Sequence, residues 1–176
     1  MSTSNAGRLG VLFVCHANMC RSPLAHALFV ERARQRGVLD SLDIDSAGTW
    51  AAEGIAPHAG SVAVGEQHGL SLASAGVSRG LRPDDLQRFA HIIVMDRANH
   101  ADVERLRRLS AFGAVEGDQA RVRLLRAISE PHARGGALDV PDPVRGGPAE
   151  FAHVFALVDH GCNALLDELF GPARGR

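Results

Sequence analysis

Cys15 and Arg21 bracket five residues in Cys15-His16-Ala17-Asn18-Met19-Cys20-Arg21, between an apolar run (Val11, Leu12, Phe13, Val14) and an amphipathic one that begins at Pro23. A thiol and a guanidinium at the two ends of a strand-to-helix turn make an anion site with a nucleophile inside it. Successive backbone N–H groups of such a loop converge on an oxyanion, and the positive end of the following helix points the same way. The same field favours thiolate over thiol. The planar fork of Arg21 can grip two phosphoryl oxygens at once. A thiolate held there attacks phosphorus and forms a phosphocysteine, which splits one hard displacement into two easier ones. A cysteine ending a buried strand is more often a small core residue, and a Cys and an Arg at this spacing also arise by chance. The strand before the loop, Ser22-Pro23 after it and a second cysteine directly before the arginine favour the chemical reading.

The departing alkoxide or phenoxide needs a proton. A carboxyl on a loop that closes over the site supplies one, and later acts as base towards water. Asp142 in Val140-Pro141-Asp142-Pro143 suits that task, because flanking prolines stiffen the segment and keep it out of helix. Asp before Pro is also an ordinary turn signal. On chemistry alone Asp139 and Asp142 are equal candidates.

These residues need a scaffold. Leu9–Val14 reads as a fully buried strand. Ser22 is expected to cap the next helix, with Pro23 as its first residue, Leu24, Ala25, Leu28 and Phe29 at helical spacing, and Gly37 as its stop. Further strands are expected at Leu42–Ala47, Ala90–Met95 and Val122–Leu125. Helices are expected at Ser61–His68, Pro83–Phe89 and Arg97–Leu109, and loops at Gly48–Ala59, Phe112–Ala120 and Gly135–Gly147. Ser71–Leu81 gives no clear pattern. Pro148–Phe170 is the cleanest helix, with Phe151, Val154, Phe155, Val158, Cys162, Leu165, Leu166 and Leu169 on one apolar stripe. Strands alternating with helices predict an α/β sandwich on a parallel sheet, with the ligand at the carboxyl ends of its strands. One domain is expected over 9–170, with loose tails at 1–8 and 171–176.

Composition narrows the classes. The chain has 176 residues, 45% of them hydrophobic, and a formal charge of −1, a balance that points to neither bulk nucleic-acid nor membrane partners. All 19 basic residues are arginine, which we read as a coding bias. Three cysteines make no disulfide framework and suit a reducing interior. With no run of 18 apolar residues and a polar start, the expected location is the cytoplasm. The nine histidines show no metal-ligand spacing, so no metal and no cofactor are expected.

The run Val14–Pro23 resembles the low-molecular-weight protein tyrosine phosphatases. So do Asp45-Ser46-Ala47-Gly48-Thr49, Val94-Met95-Asp96 and Val140-Pro141-Asp142-Pro143, in the family's order, and the likeness covers residues 9–170. The resemblance implies a three-layer α/β sandwich with a four-stranded parallel sheet, the phosphatase type I fold. It implies metal-free hydrolysis of phosphotyrosine in proteins, by a monomer. By position, Cys15 becomes the nucleophile, Arg21 the phosphate clamp and Asp142, rather than Asp139, the general acid. His16, Ala17, Asn18, Met19, Cys20, Arg21 and Ser22 become the phosphate-binding residues. Ser22 would bond the Cys15 thiolate and Asn18 would hold the loop through Ser46. Cys20 would be the neighbouring thiol that bonds Cys15 on oxidation.

The chain also departs from that pattern. Ala17 stands where the family often has glycine, and Gly76 stands about where a histidine is usual, ahead of Ser78-Arg79-Gly80-Leu81. Val144 and Arg145 replace the aromatic pair after Asp-Pro; as the chain has no tyrosine, phosphorylation there is impossible. Trp50 is the remaining aromatic for the substrate wall, unless it is a half-buried core residue. His16, Trp50, Val144 and Arg145 are the expected substrate rim. The altered rim keeps open a small phosphorylated metabolite as substrate. An arsenate reductase on the same scaffold would need two more cysteines near residues 80–95, and Cys162 on the last helix is the only other thiol. A non-catalytic phosphate-binding module would be expected to lack Cys15 or Asp142.

Overall fold

Four short parallel strands in the order β2-β1-β3-β4 carry the molecule: β1 (Leu9–Cys15), β2 (Leu42–Gly48), β3 (His91–Val94) and β4 (Arg121–Leu124). The computed structural model describes residues 7–110 and 120–173. Helices α1 (Arg21–Gln35), α2 (Ala59–Gln67), α3 (Asp85–Arg88), α4 (Arg97–Ser110), α5 (Leu125–Ser129) and α6 (Pro148–Phe170) connect and cover the strands.

Alternation along β1 divides the layers. Val11, Phe13 and Cys15 point to the face covered by α1, α2, α5 and α6; Leu12 and Val14 point to the face covered by Phe89 and Val103. All five are at most 2% exposed. β1 has a partner on both sides and is buried on both faces, which is why its sequence is apolar without interruption. The apolar stripe of α6 packs on α1, with Val158, Cys162, Leu165 and Leu166 fully buried. Arg32 on α1 reaches across to Asp159 on α6.

Several boundaries differ from the sequence reading. α1 begins at Arg21 with Cys20 preceding it, and no side chain caps it; Ser22 lies inside the helix. The Ser22 hydroxyl is spent on other partners, and the first turn is left open towards the loop. β4 ends one residue early because Leu125 already begins α5, a short helix that the expected strand at Val122–Leu125 concealed. A 3₁₀ turn at Gly135–Leu138 lies within the expected long loop, and another at Leu72–Ala75 lies within the stretch that had no clear pattern. The loop expected at Phe112–Ala120 lies outside the described residues but for the buried Ala120. So do residues 1–6 and 174–176 of the expected tails. No helix among the described residues is long and apolar enough to cross a membrane.

Candidate active site

At the carboxyl end of β1 the chain turns through residues 16–20 before α1 starts, and the carbonyls of Cys15, His16, Met19 and Cys20 are committed outward. Thr49 and Trp50 donate their N–H to the carbonyls of Cys15 and His16, each at 2.9 Å, and His58 N–H donates to Met19 at 2.8 Å. The Ser61 hydroxyl donates to the Cys20 carbonyl at 3.2 Å. Among the described residues, the N–H groups of His16 to Cys20 have no protein acceptor. A loop whose carbonyls are tied outward turns its N–H groups towards its centre, which is the geometry of an anion cradle.

The neighbours that hold the loop are recognisable in the sequence. Gly48 ends β2 against it: a Cβ there would lie 2.6 Å from the His16 carbonyl oxygen and 2.8 Å from the Asn18 nitrogen. Asn18 is the only non-glycine with positive φ (54°) among the described residues. Its buried amide donates to Ser22 Oγ (2.9 Å) and Ser46 Oγ (3.0 Å), while its Oδ1 accepts from the Arg79 N–H at 3.0 Å. Arg79 is fixed in turn by Asp45 and the buried Asp85. Gly76, with φ 64°, stands where the family pattern has a histidine, and backbone from Arg79 supplies the bond to Asn18. The segment Arg79–Leu81 lies along the end of β2, bonded on both sides of Gly48. Asp45, Asp85 and Arg79 belong to the site's support; sequence reading named Asp45 and Arg79 only as motif letters and Asp85 not at all.

Cys15 Sγ lies 3.1 Å from Ser22 Oγ, on the loop side of the strand end. Ser22 Oγ also lies 3.2 Å from the Ala47 carbonyl. Arg21, 2% exposed, donates through Nη1 to Asp96 (2.7 Å) and to the Val140 carbonyl (3.1 Å), and through Nη2 to Asp142 Oδ2 (3.0 Å). Its Nε is buried without a partner. Burial opposes the charge, but Cys15, Asp142 and Asp96 outweigh it and hold the guanidinium above its ordinary pKa.

The acid-bearing loop is anchored at its base and exposed at its tip. Val140 N–H donates to the Met95 carbonyl at 2.8 Å, just past β3. Asp142 is half exposed, and its Oδ1 accepts from the Val144 N–H at 3.2 Å. Asp139 is engaged elsewhere: four contacts bind it to Arg97, whose guanidinium holds its carboxyl below the usual range. The structure therefore brings Asp142, and not Asp139, to Arg21. Asp96 joins Arg21 as well, although sequence reading gave it no role.

His16, Val144 and Arg145, expected at the rim, are exposed, and Ala17 and Met19 of the loop are half-buried. Trp50 is 66% exposed, so it is no core residue, and its Nε1 donates to Asp102 on α4 at 3.0 Å. Cys20 is buried; burial, with the negative charge of Asp142 and Cys15, pushes its thiol up to about 12. All three cysteines are free. Among the described residues no group of three or more His, Cys, Asp or Glu converges on a metal position.

The same loop and sheet recur in known proteins. A family model for low molecular weight phosphotyrosine protein phosphatase matches residues 10–171. A Streptomyces coelicolor protein named low molecular weight protein-tyrosine-phosphatase is 36% identical over 94% of this chain and 96% of its own length. Low molecular weight protein-tyrosine phosphatase A of Mycobacterium tuberculosis is 34% identical over 90% of both chains. The crystal structure of YfkJ from Bacillus subtilis superposes with a TM-score of 0.77 at 29% identity, covering 94% of this chain and 96% of that one. With its anion loop, its parallel sheet and nearly its whole length in common with these proteins, the chain belongs to the low molecular weight phosphotyrosine protein phosphatase family.

Proposed function

We propose that this enzyme hydrolyses phosphotyrosine in proteins through a phosphocysteine intermediate, without metal or cofactor. The observation that carries this reading is the ring of unpartnered N–H groups from His16 to Cys20, with the Cys15 sulfur at one end and the unpartnered Arg21 Nε at the other. In the first step the Cys15 thiolate bonds to phosphorus as the bond to the tyrosyl oxygen breaks, and Asp142 gives that oxygen its proton. In the second, water attacks phosphorus, Asp142 takes a proton from it, and the sulfur leaves as thiolate. The single Ser22 hydroxyl proton has two acceptors within reach, Cys15 Sγ and the Ala47 carbonyl. It turns to the sulfur when the thiolate forms, so sulfur departs with its charge already partnered. Arg21 and the loop N–H groups bind the equatorial oxygens in both steps.

The substrate ring lies against the rim, with Trp50 as its aromatic wall and His16, Val144 and Arg145 around it. We place the enzyme in the cytoplasm as a monomer acting on phosphotyrosyl proteins, with no nucleic-acid or membrane partner; the near-neutral charge and three free thiols support that reading. The test compares kcat/KM for a phosphotyrosyl peptide with that for an alkyl phosphate. A preference of at least about tenfold for the peptide is expected, equal to about 1.4 kcal/mol in the transition state. A preference for the alkyl phosphate would move the assignment to a small metabolite.

Cys20 serves as the reserve thiol. Peroxide oxidises Cys15 to a sulfenic acid, and the Cys20 sulfur displaces its hydroxyl as water to leave a Cys15–Cys20 disulfide. A thiol pushed up to about 12 is seldom ionised at neutral pH, so closure is slow there and speeds up as pH rises towards that value. Wild type treated with peroxide is expected to regain most of its activity with dithiothreitol, while Cys20→Ser regains little. Equal recovery of the two would remove this role.

A further inference from the structure

Asn99 is 1% exposed in a helix where the only other buried residue is Val103. A polar side chain so enclosed needs partners, and its surroundings dictate which way the amide is turned. With nitrogen towards Asp96, Nδ2 lies 3.2 Å from Oδ1 and 3.3 Å from Oδ2 of that carboxylate. The Asn99 backbone N–H also donates to Oδ1, at 2.7 Å. Oδ2 in turn receives Arg21 Nη1 at 2.7 Å.

The backbone bond is the usual one for an acidic residue just before a helix, and any residue at 99 would supply it. The amide does something more. An aspartate held at Oδ1 alone can still swing its second oxygen about the Cβ–Cγ bond. Two further contacts from Nδ2 fix the carboxylate plane, and that plane decides where Oδ2 lies relative to Arg21. The remaining partners of the guanidinium are the Val140 carbonyl and Asp142 on the acid-bearing loop. Of its two carboxylate partners, Asp96 is the one at the sheet end, and Asp142 sits on the loop tip.

We propose that Asn99 is a positioning residue for the phosphate clamp: it orients Asp96, and Asp96 holds Arg21 square to the anion. The proposal rests on Arg21 being that clamp, as argued above. Its reach is specific. Losing the amide leaves Cys15, Asp142 and the loop intact, but lets the guanidinium turn away from two-point contact with phosphoryl oxygens. Both the bound anion and the transition state are weakened, because Arg21 faces equatorial oxygens in each.

The experiment measures kcat and KM for an aryl phosphate, competitive inhibition by inorganic phosphate, and Tm, in wild type, Asn99→Leu, Asn99→Asp and Val103→Ala. Asn99→Leu keeps the shape without the donor and is expected to raise the phosphate Ki by about tenfold and to lower kcat/KM by more. Asn99→Asp sets a second carboxylate against Asp96, and a larger loss is expected. Should Asn99→Leu not fold, Asn99→Asp decides alone. Val103→Ala, the neighbouring buried change on α4, is expected to lower Tm while leaving Ki within twofold of wild type. Asn99 variants that lose Tm like Val103→Ala but keep the wild-type Ki would overturn the proposal and make Asn99 a packing residue. If the wild type itself neither turns over aryl phosphate nor is inhibited by phosphate, it is the reading of the whole site that fails.

Discussion

Replacing Cys15 by serine is expected to lower turnover of an aryl phosphate by at least about 10⁴-fold while leaving phosphate bound nearly as well as in wild type. Sulfur is the only atom of the site able to form the covalent intermediate. A serine hydroxyl in its place ionises far less readily, and Ser22 Oγ, itself a hydroxyl, is too weak a base to activate it. The bonds that fasten the cradle do not run through that sulfur. The outward bonds from Thr49, Trp50, His58 and Ser61 are made to backbone carbonyls, and Arg21 is oriented by Asp96 and Val140. The variant therefore separates binding from chemistry. Inorganic phosphate titrated into it calorimetrically should give an affinity within a few-fold of wild type, with kcat near background. Retention of even one per cent of kcat would mean that turnover does not depend on sulfur as the nucleophile.

What was legible beforehand follows from which residues answer to one constraint at a time. β1 is apolar throughout because both its faces and both its edges are covered, so Leu9–Val14 could be read without help. α6 presents one stripe to the core and the rest to solvent, and its ends, Pro148 and Phe170, coincide with those expected. Gly48 was legible as the start of a loop; that it is needed because a Cβ would strike the neighbouring loop emerges only in three dimensions. Ser22 misled as a cap since the same residue type serves two ends: a hydroxyl at a helix start looks like a cap, and here it is spent on Sγ and on Asn18. α5 escaped because five residues running on from a strand carry no periodicity of their own. The partnership of Arg21 with Asp96, 75 residues away, and of Asn18 with Arg79, 61 residues away, joins segments that no local pattern relates. Asp139 and Asp142 were equal by local chemistry; the family resemblance favoured the second, and the contacts of Asp139 with Arg97 and of Asp142 with Arg21 give the physical reason.

That distinction makes Asp142→Ala the other decisive substitution. Turnover of a phenyl phosphate, whose leaving group needs a proton, should fall by about 10²–10⁴-fold. Nitrophenyl phosphate should lose much less, because its phenoxide leaves unprotonated. Asp142 shares Arg21 Nη2 in the free enzyme, so its removal releases a donor to the incoming phosphate and KM should fall or stay level. A drop in kcat without a rise in KM is the mark of an interaction made only in the transition state. Asp139→Ala provides the counterweight: its carboxylate is tied to Arg97, so its loss slackens the loop base and should cost only a few-fold, alike for both substrates. A plot of log kcat against leaving-group pKa then reads the proton transfer directly. It should be shallow for wild type and for Asp139→Ala, and steep for Asp142→Ala. Equal slopes for all three would show that the leaving oxygen takes its proton from somewhere other than this loop.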